Sequence, residues 1–172
     1  QYDAGGDNAL VDGLKGPNNY LTGRWQGFYG EDFESTVDLG GIEDIRYLNI
    51  GAIQDVRSWI WLPKEVVFLG SLDGLKFKKI CSLNHSIADN TSESVIKQFE
   101  QKLINPFKAR FVKVKAKNYG LCPTWHLGSG GKERGRKVEG GGVLRLLQSL
   151  RRGRGRGSVG HLCGASADDS AK

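Results

Sequence analysis

Apolar and charged residues alternate most clearly over residues 111–117, FVKVKAK, where three lysines separate the apolar positions. A period of two is typical of a β-strand with one buried face and one face in water. The same alternation predicts a strand over Asp32–Leu39, which we expect Gly40 and Gly41 to end. Further strands are predicted at 45–53, 65–69, 75–83 and 95–103, the last of which also fits a short helix.

Turn-forming residues separate these strands. Asp73 and Gly74 predict the turn of a hairpin, and residues 54–63, QDVRSWIWLP, are predicted to form a loop that carries two tryptophans. Residues 1–31 are rich in glycine but hold several large apolar side chains, so we expect them to pack against the body. Many short strands without a long helical pattern predict an all-β sandwich.

The positive charge of the chain lies entirely in its last quarter. Residues 1–131 hold 15 basic and 15 acidic residues, whereas residues 132–172 hold 10 basic and 4 acidic residues and no aromatic one. We therefore predict two parts, a β-sandwich at 1–131 and a basic Gly/Arg-rich tail at 132–172 that is disordered or encoded out of frame. Residues 143–150 are spaced for one or two helical turns, and no alternation in the tail predicts a strand.

Several classes of protein are not expected. The sequence has no apolar run of 18 residues, so no membrane span is predicted. The chain begins at Gln1 without a signal peptide, which we interpret as a mature or excised piece. Cys81, Cys122 and Cys163 are widely spaced and odd in number, a pattern that predicts neither a disulfide framework nor a metal cluster and leaves the compartment open. We expect no intrinsic enzymatic activity, because adjacent acids on a strand point to opposite faces instead of converging.

Rings and hydrogen-bonding side chains crowd the predicted loops. A flat ring can stack on a sugar, while guanidinium, amide and imidazole groups can bind its hydroxyls. Tryptophans in β-sandwiches are mostly core residues, which we favour for Trp25 and Trp61, whereas Trp59 and Trp125 fit either role. The candidate sugar-binding residues are Asn18, Asn19, Tyr20, Gln54, Arg57, Trp59, Trp61, Asn118, Tyr119, Trp125 and His126.

Four segments together resemble the discoidin, or factor V/VIII type C, family. They are QYDAGGDNALVDGLKGPNNYLTGRWQGF, IQDVRSWIWLPKEVVF, SLDGLKFKKI and ARFVKVKAKNYGLCPTWHLGSGGK, and they span residues 1–132. The version at the C-terminal end of bacterial β-N-acetylhexosaminidases is the most similar. The resemblance implies a galactose-binding-like jelly-roll sandwich with eight strands. The first strand is mostly missing here and the last is replaced by ERGRKVEGGG, so we expect the N- and C-terminal strands to be incomplete.

The resemblance also implies a structural calcium ion at the loop Ala9–Gly13. In the family this loop surrounds the ion with carbonyl oxygens and one carboxylate, here that of Asp12, and the family's threonine corresponds to Thr22. Calcium prefers six to eight oxygen ligands, which a tight loop can supply. The alternative is an Asp-Gly turn whose carboxylate accepts hydrogen bonds from nearby N–H groups.

Three functional hypotheses follow. The first is a non-catalytic module that binds glycans with terminal galactose or N-acetylhexosamine and tethers a secreted bacterial glycoside hydrolase, in the periplasm or outside the cell. The second is a scaffold or protein-interaction domain of a multidomain enzyme, without a sugar site. The third is nucleic-acid or membrane-surface binding by RRGRGRG, residues 151–157. We favour the first hypothesis and expect neither membrane nor nucleic acid as a partner.

Overall fold

The computed structural model describes residues 2–3, 10–11, 13–127, 141–145 and 162–163, with side chains described for 10–11 and 13–127. The described part is almost entirely β-structure, which confirms the predicted class. Its two 3-10 helices are three residues each, and no helix there is long and apolar enough to cross a membrane. In chain order the elements are β1 Tyr2–Asp3, η1 Tyr20–Thr22, β2 Gln26–Tyr29, β3 Phe33–Gln54, η2 Val56–Ser58, β4 Ile60–Trp61, β5 Glu65–Ser71, β6 Lys78–Leu83, β7 Val95–Lys117, β8 Gly141–Arg145 and β9 Leu162–Cys163.

Two long antiparallel strands, β3 and β7, form the backbone of the fold. Their pairing runs from Phe33 opposite Ala116 to Gln54 opposite Val95, with irregularities of register between Asp38 and Glu43 and again just after Ile45. The prediction that Gly40 and Gly41 end a strand is therefore wrong. Gly40 adopts a φ of 79°, which glycine tolerates, and the chain bends there as a bulge and continues.

The predicted short strands are halves of these long ones. Residues 33–39 of the first predicted strand and all of 45–53 fall within β3, and residues 95–103 and 111–117 both fall within β7. The strand interpretation of 95–103 is confirmed over the helical one. The predicted hairpin of β5 and β6 is also present, with Val66 opposite Leu83 and a turn that includes Asp73 and Gly74.

One hydrophobic core joins the two halves of the long strands. The first half of β3 pairs with the second half of β7, which also pairs with β5, and β5 pairs with β6; these strands form one half of the fold. The second half of β3 pairs with the first half of β7 and with β8, and these form the other half. Side chains from both halves belong to one buried cluster, so the halves pack face to face as a sandwich. Cluster members from the half with β5 include Phe33, Val37, Val66, Phe68, Val112 and Val114, and those from the half with β8 include Leu48, Ile50, Ala52 and Phe99.

The outer face of the half with β5 carries a row of ion pairs between the start of β3 and the end of β7. Glu34 contacts Lys113 at 2.5 Å and Lys115 at 2.6 Å, and the hydrogen bonds to these two lysines lower the pKa of its carboxyl. The Arg110 guanidinium contacts the Asp38 carboxylate at 2.8 Å and, with a hydrogen bond from the Gly40 N–H, lowers the pKa of Asp38 to about 2. The alternation predicted over residues 111–117 is thus confirmed, because Val112, Val114 and Ala116 are buried whereas Lys115 and Lys117 are exposed.

The structure differs from the sequence prediction at residues 141–145. Their backbone forms β8, antiparallel to β2 and β3 and parallel to β4, where no strand was predicted. A strand needs only backbone N–H and C=O groups that meet an unpaired edge, and Gly141 and Gly142 supply these without side-chain alternation. Residues 162–163 also pair with β3. The remainder of 132–172 lies outside the described residues, so its predicted disorder or out-of-frame origin stays a prediction.

Truncation tests whether β8 contributes to stability. The sequence predicts that residues 132–172 add nothing to the sandwich, whereas the structure predicts that the loss of β8 lowers the free energy of unfolding. A chain that ends after Leu147 retains β8, whereas a chain that ends after Glu139 loses it and exposes edges of β2 and β3. Each net backbone hydrogen bond contributes about 0.5–1.5 kcal/mol, so we expect the shorter chain to lose roughly 3 kcal/mol or more. Urea unfolding of both chains measures the difference. Equal unfolding midpoints would show that 141–145 add nothing to the sandwich.

Candidate functional site

A backbone carbonyl joins the two loops that build the candidate site. After β3, Asp55 and Ile60 form an isolated bridge that encloses the short helix η2. The Val56 carbonyl accepts one hydrogen bond from the Trp59 N–H, at 3.0 Å, and another from Nε2 of His126, at 2.9 Å. A carbonyl can only accept, so Nε2 of His126 carries the proton. The loop after β3 is thereby bound to the loop after β7.

Trp59 occupies an unusual backbone conformation. Its φ of 63° lies in the left-handed region, and among the described residues it is the one non-glycine residue with a positive φ. Trp59 terminates η2, and this conformation costs a residue with a Cβ about 1–2 kcal/mol. The surrounding hydrogen bonds and ring contacts maintain the conformation. Trp59 is half-buried, with its ring directed at His126.

His126 lies at the centre of three tryptophan rings. Its ring centroid is 4.9 Å from that of Trp59, 5.4 Å from that of Trp61 and 5.8 Å from that of Trp125, each in an edge-to-face arrangement. Trp61 is fully buried and stacks on Tyr119 at 5.3 Å. Trp125 is 47% exposed. The rings therefore form a continuous layer that extends from the core to the surface.

An open groove lies beside this aromatic layer. It has a volume of about 560 Å³, within the range of roughly 300–1,000 Å³ that is usual for ligand sites. Among the residues that the structure describes, no carboxylate lines it, and Arg57 is its charged residue. We call it the rim groove, and its lining residues are Val56, Arg57, Trp59, Trp125, His126 and Leu127. Four of the predicted sugar-binding residues are thus brought together here.

The Arg57 guanidinium is held at the edge of the rim groove. Its Nε and Nη2 atoms donate hydrogen bonds to the Ser92 carbonyl, at 3.2 Å and 3.0 Å. Guanidinium has five N–H donors, so these contacts orient the group while leaving further donors for a ligand. Arg57 is exposed, which makes those donors accessible from water.

Two other predicted sugar-binding residues instead hold the segment 85–94 that carries Ser92. The amide of Gln54, which is 1% exposed, donates to the Ala88 carbonyl at 2.8 Å. The Tyr119 hydroxyl donates to the Asp89 carboxylate at 2.5 Å, and burial together with this hydrogen bond raises the pKa of Tyr119. Neither lines the rim groove, because their polar atoms are directed towards this segment.

The three asparagines predicted to bind sugar instead form hydrogen bonds with the protein backbone. Asn118 donates from its amide to the Glu31 carbonyl, at 3.0 Å, and accepts from the Gly120 N–H, at 2.8 Å. The Asn19 side chain accepts from the Leu21 N–H at 2.9 Å and caps η1. Asn18 donates to the Ser94 carbonyl at 3.1 Å. None of the three lines the rim groove.

The interpretation of Trp25 and Trp61 as core residues is confirmed. Trp25 is 1% exposed and donates from its indole N–H to the Pro17 carbonyl at 3.0 Å. It forms a small cluster with Ile53 and Ile60, against which the ring of Tyr20 packs. The Trp61 indole N–H donates to the Asp89 carbonyl at 3.0 Å. Tyr20 is therefore part of this packing and does not line the rim groove.

Sequence reasoning did not identify Val56 and Leu127 as residues of the site. Val56 acts through its backbone carbonyl, which has no signature in a side-chain pattern. Leu127 is 99% exposed and follows His126 directly. An exposed apolar side chain in a groove with two tryptophans marks a candidate binding surface. The sequence alone cannot reveal this, because exposure is a property of the fold.

The predicted calcium ligands are mostly outside the described residues. Ala9 and Asp12 are not described, and the Thr22 hydroxyl donates to the Asn19 carbonyl at 3.0 Å. Among the residues that the structure describes, no three of His, Cys, Asp and Glu converge on a possible metal position.

Cys81 and Cys122 are free thiols, and burial raises the pKa of both.

Comparison with known proteins finds matches among solved structures. No protein-family model matches the chain, and no curated protein matches it. One matching structure is CpGH89CBM32-6 produced by Clostridium perfringens, 18% identical, with 80% of this chain and 81% of that chain covered and a TM-score of 0.42. A second is CBM32-1 from a family 31 glycoside hydrolase of the same organism, 17% identical, with 81% and 80% covered and a TM-score of 0.44.

A third matching structure is the C-terminal domain of a chitobiase from Bacteroides fragilis. It is 13% identical, with 66% of this chain and 62% of that chain covered and a TM-score of 0.35. Two of the matching proteins are thus named as CBM32 modules, and the third is named as the C-terminal domain of a chitobiase. These likenesses concern the fold. The function proposed below depends on the residues of the rim groove.

The left-handed conformation of Trp59 predicts a reversed order of stability for two substitutions. Alanine keeps a Cβ and its strain, whereas glycine adopts this conformation freely, so Trp59→Gly should be about 1 kcal/mol more stable than Trp59→Ala. Denaturant unfolding of both variants measures the difference. Leu75 is exposed without a positive φ, so Leu75→Gly should be less stable than Leu75→Ala and serves as the matched control. If glycine is also the worse residue at 59, the strain does not exist.

Proposed function

We propose that this chain is a non-catalytic carbohydrate-binding module and that the rim groove is its sugar site. The observation that supports this most directly is the arrangement of Trp59 and Trp125 around the fixed ring of His126, with Arg57 at the edge. Trp59 is half-buried and Trp125 is exposed, and both rings contact the buried ring of His126. They therefore provide apolar surface at fixed positions. Such surface suits the C–H face of a pyranose ring.

The polar chemistry of the rim groove favours a neutral sugar. Its donors are the outward N–H groups of Arg57, and the described lining residues include no carboxylate that would attract an amine. Guanidinium N–H groups can donate to sugar hydroxyls or to the carbonyl of an acetamido group. Terminal galactose and N-acetylhexosamine offer these acceptors together with an apolar ring face, and we propose them as the ligand class.

The expected affinity is weak. The groove is open, so a bound monosaccharide loses only part of its water shell and gains little buried area, while its hydroxyls must still be desolvated. We expect dissociation constants from high micromolar to millimolar, about −4 to −6 kcal/mol. Weak binding of this kind is useful where a module keeps an attached enzyme near a polymeric substrate that offers many copies of the same sugar.

The biological setting is part of the proposal. The resemblance of the four sequence segments to the C-terminal modules of bacterial β-N-acetylhexosaminidases supports attachment to a secreted glycoside hydrolase of that type. The module would then act in the periplasm or outside the cell, with the catalytic domain of the parent enzyme as its covalent partner.

Substitutions in the rim groove test the sugar site. Trp125→Ala removes an exposed ring and should weaken glycan binding about 5- to 150-fold, because stacking on an aromatic ring contributes on the order of 1–3 kcal/mol. Trp125→Phe should retain part of the affinity, and Arg57→Ala should weaken binding without affecting the fold, since its side chain is exposed. Glycan-array binding followed by titration calorimetry with galactose and N-acetylglucosamine measures these effects.

Leu75→Ala is the matched control, because Leu75 is 86% exposed and does not line the rim groove. It should bind sugar as the unaltered chain does. Undiminished binding by Trp125→Ala, Trp59→Ala and Arg57→Ala would remove the sugar site from this groove. Absence of any glycan ligand, together with specific capture of the parent catalytic domain added in trans, would support the protein-interaction alternative.

We also propose that a calcium ion is bound by the opening loop, with Asp12 as its charged ligand. The sequence ALVDG and the resemblance support this. A metal that binds only the folded chain raises its melting temperature. We therefore expect excess calcium to raise the melting temperature above that in EDTA, and Asp12→Asn to abolish the difference. Identical melting curves of the unaltered chain in calcium and EDTA would leave this loop as an ordinary Asp-Gly turn.

A further inference from the structure

A second groove lies at the other end of strand β5. The start of β5 is near the aromatic layer, since Lys64 lies over the Tyr119 ring at 5.3 Å, whereas the second groove begins at Gly70 and Ser71. Six residue steps along a strand span about 20 Å, so the two grooves are separate. The second groove has a volume of about 350 Å³. We call it the lysine groove, because Lys76, Lys78 and Lys108 line it.

The floor of the lysine groove is fixed by close packing. A Cβ on Gly70 would lie 2.4 Å from Cε1 of Phe107 and 3.1 Å from Cδ1 of Ile80, so the Phe107 ring rests directly on the glycine backbone. Phe107 is half-buried and packs against the main core. Its exposed part therefore offers the groove an apolar surface whose position cannot change without disturbing the core.

The carboxylate of the lysine groove is turned towards the backbone. Asp73 accepts hydrogen bonds from the N–H groups of Leu75 and Lys76, both at 2.9 Å, and from the Ser71 hydroxyl at 2.8 Å. These bonds hold the turn and lower the pKa of Asp73, the backbone bond from Lys76 most. Its Oδ1 atom is thus committed to the turn, and within the described part of the chain Asp73 forms no ion pair with the neighbouring lysines.

The lysines themselves are available to a ligand. Among the described residues, neither Lys76 nor Lys78 forms an ion pair, and both are exposed. Lys108 contacts Asp44 at 2.9 Å, but their side chains are 72% and 45% exposed. An ion pair this exposed contributes at most about 1 kcal/mol, so Lys108 can turn to another anion at little cost.

We propose that the lysine groove is a second binding site, specific for a sugar that carries an anionic group such as sulfate or carboxylate. The three lysines that line the groove offer charge and N–H donors to the anion, and Phe107 offers a surface to the ring that carries it. The inference does not depend on the rim groove, whose chemistry suits a neutral sugar.

The shape of the groove favours a glycan over a nucleic acid. A nucleic-acid site needs a stripe of positive charge along the phosphate backbone. Here the three lysines line one concave volume, which is at the lower end of the usual size range for small-ligand sites. Phe107 is the aromatic residue among the described residues that line it. A compact anion on a sugar ring fits this volume and can contact Phe107, whereas the lining offers no extended row of lysines for successive phosphates.

Titration calorimetry on the full chain tests the site with four probes. These are a heparin-derived hexasaccharide for sulfate, a galacturonic acid hexamer for carboxylate, a maltohexaose as the neutral control and a single-stranded DNA hexamer. We expect binding of at least one anionic glycan and none of maltohexaose. Removal of two charged contacts in Lys76→Ala/Lys78→Ala should weaken that binding about tenfold or more. The sulfate and carboxylate probes tell which anion is preferred.

The matched control is Lys15→Ala/Lys102→Ala, which removes two exposed lysines that do not line the groove. It leaves the same net charge as the groove variant, and both variants retain the basic segment 132–172. Equal losses in the two variants, or none in either, would assign the binding to net charge or to that segment and overturn the proposal. DNA bound more tightly than either anionic glycan, or no anionic probe bound at all, would also overturn it. Trp125→Ala should leave anionic binding unchanged, which separates this test from that of the rim groove.

Discussion

The antiparallel pairing of β3 with β7 decides where the loops of the molecule meet. The end of β3 pairs with the start of β7, while the end of β7 pairs with the start of both β3 and β5. The chain after Gln54 must therefore cross from one half of the sandwich to the other before it enters β5. It arrives beside the chain that leaves β7 at Lys117. The two loops that carry Trp59 and Trp125 are brought together by this ladder, whatever their own sequences prefer.

Within that frame, the Val56 carbonyl is the contact that sets the site. An acceptor with two hydrogen bonds, one from its own loop and one from His126, couples a local turn to a distant segment. The left-handed backbone of Trp59 is unfavourable in isolation and persists because these contacts determine it. Strain of this kind occurs most often where a side chain is held for a function. Here it directs an indole ring towards the edge of His126.

The sequence contained the strands and the rings, but not the connections between them. Alternation identifies the halves of β3 and β7, yet a glycine with positive φ fits both a strand end and a bulge, so Gly40 was misinterpreted. Strand β8 was missed because its pairing depends on an open edge elsewhere. Gln54 and Asn118 have the composition of sugar-binding residues, but their amides meet carbonyls 34 and 87 positions away. Such long-range partners follow from the ladder and not from any local pattern.

The two grooves differ in a way that follows from their supports. The rim groove is lined by aromatic rings and by one guanidinium that a carbonyl orients, whereas the lysine groove is lined by three lysines, Gly70 and Phe107. The aromatic layer reaches one end of β5 and the lysine groove lies about 20 Å further along this strand, so one sugar cannot occupy both grooves. A glycan chain that carries a neutral terminal sugar and an anionic unit at that spacing would bind both at once, and the second contact would then be intramolecular. Selectivity would in that case arise from the distance between the grooves, which the rigid strand sets, as well as from the chemistry of each.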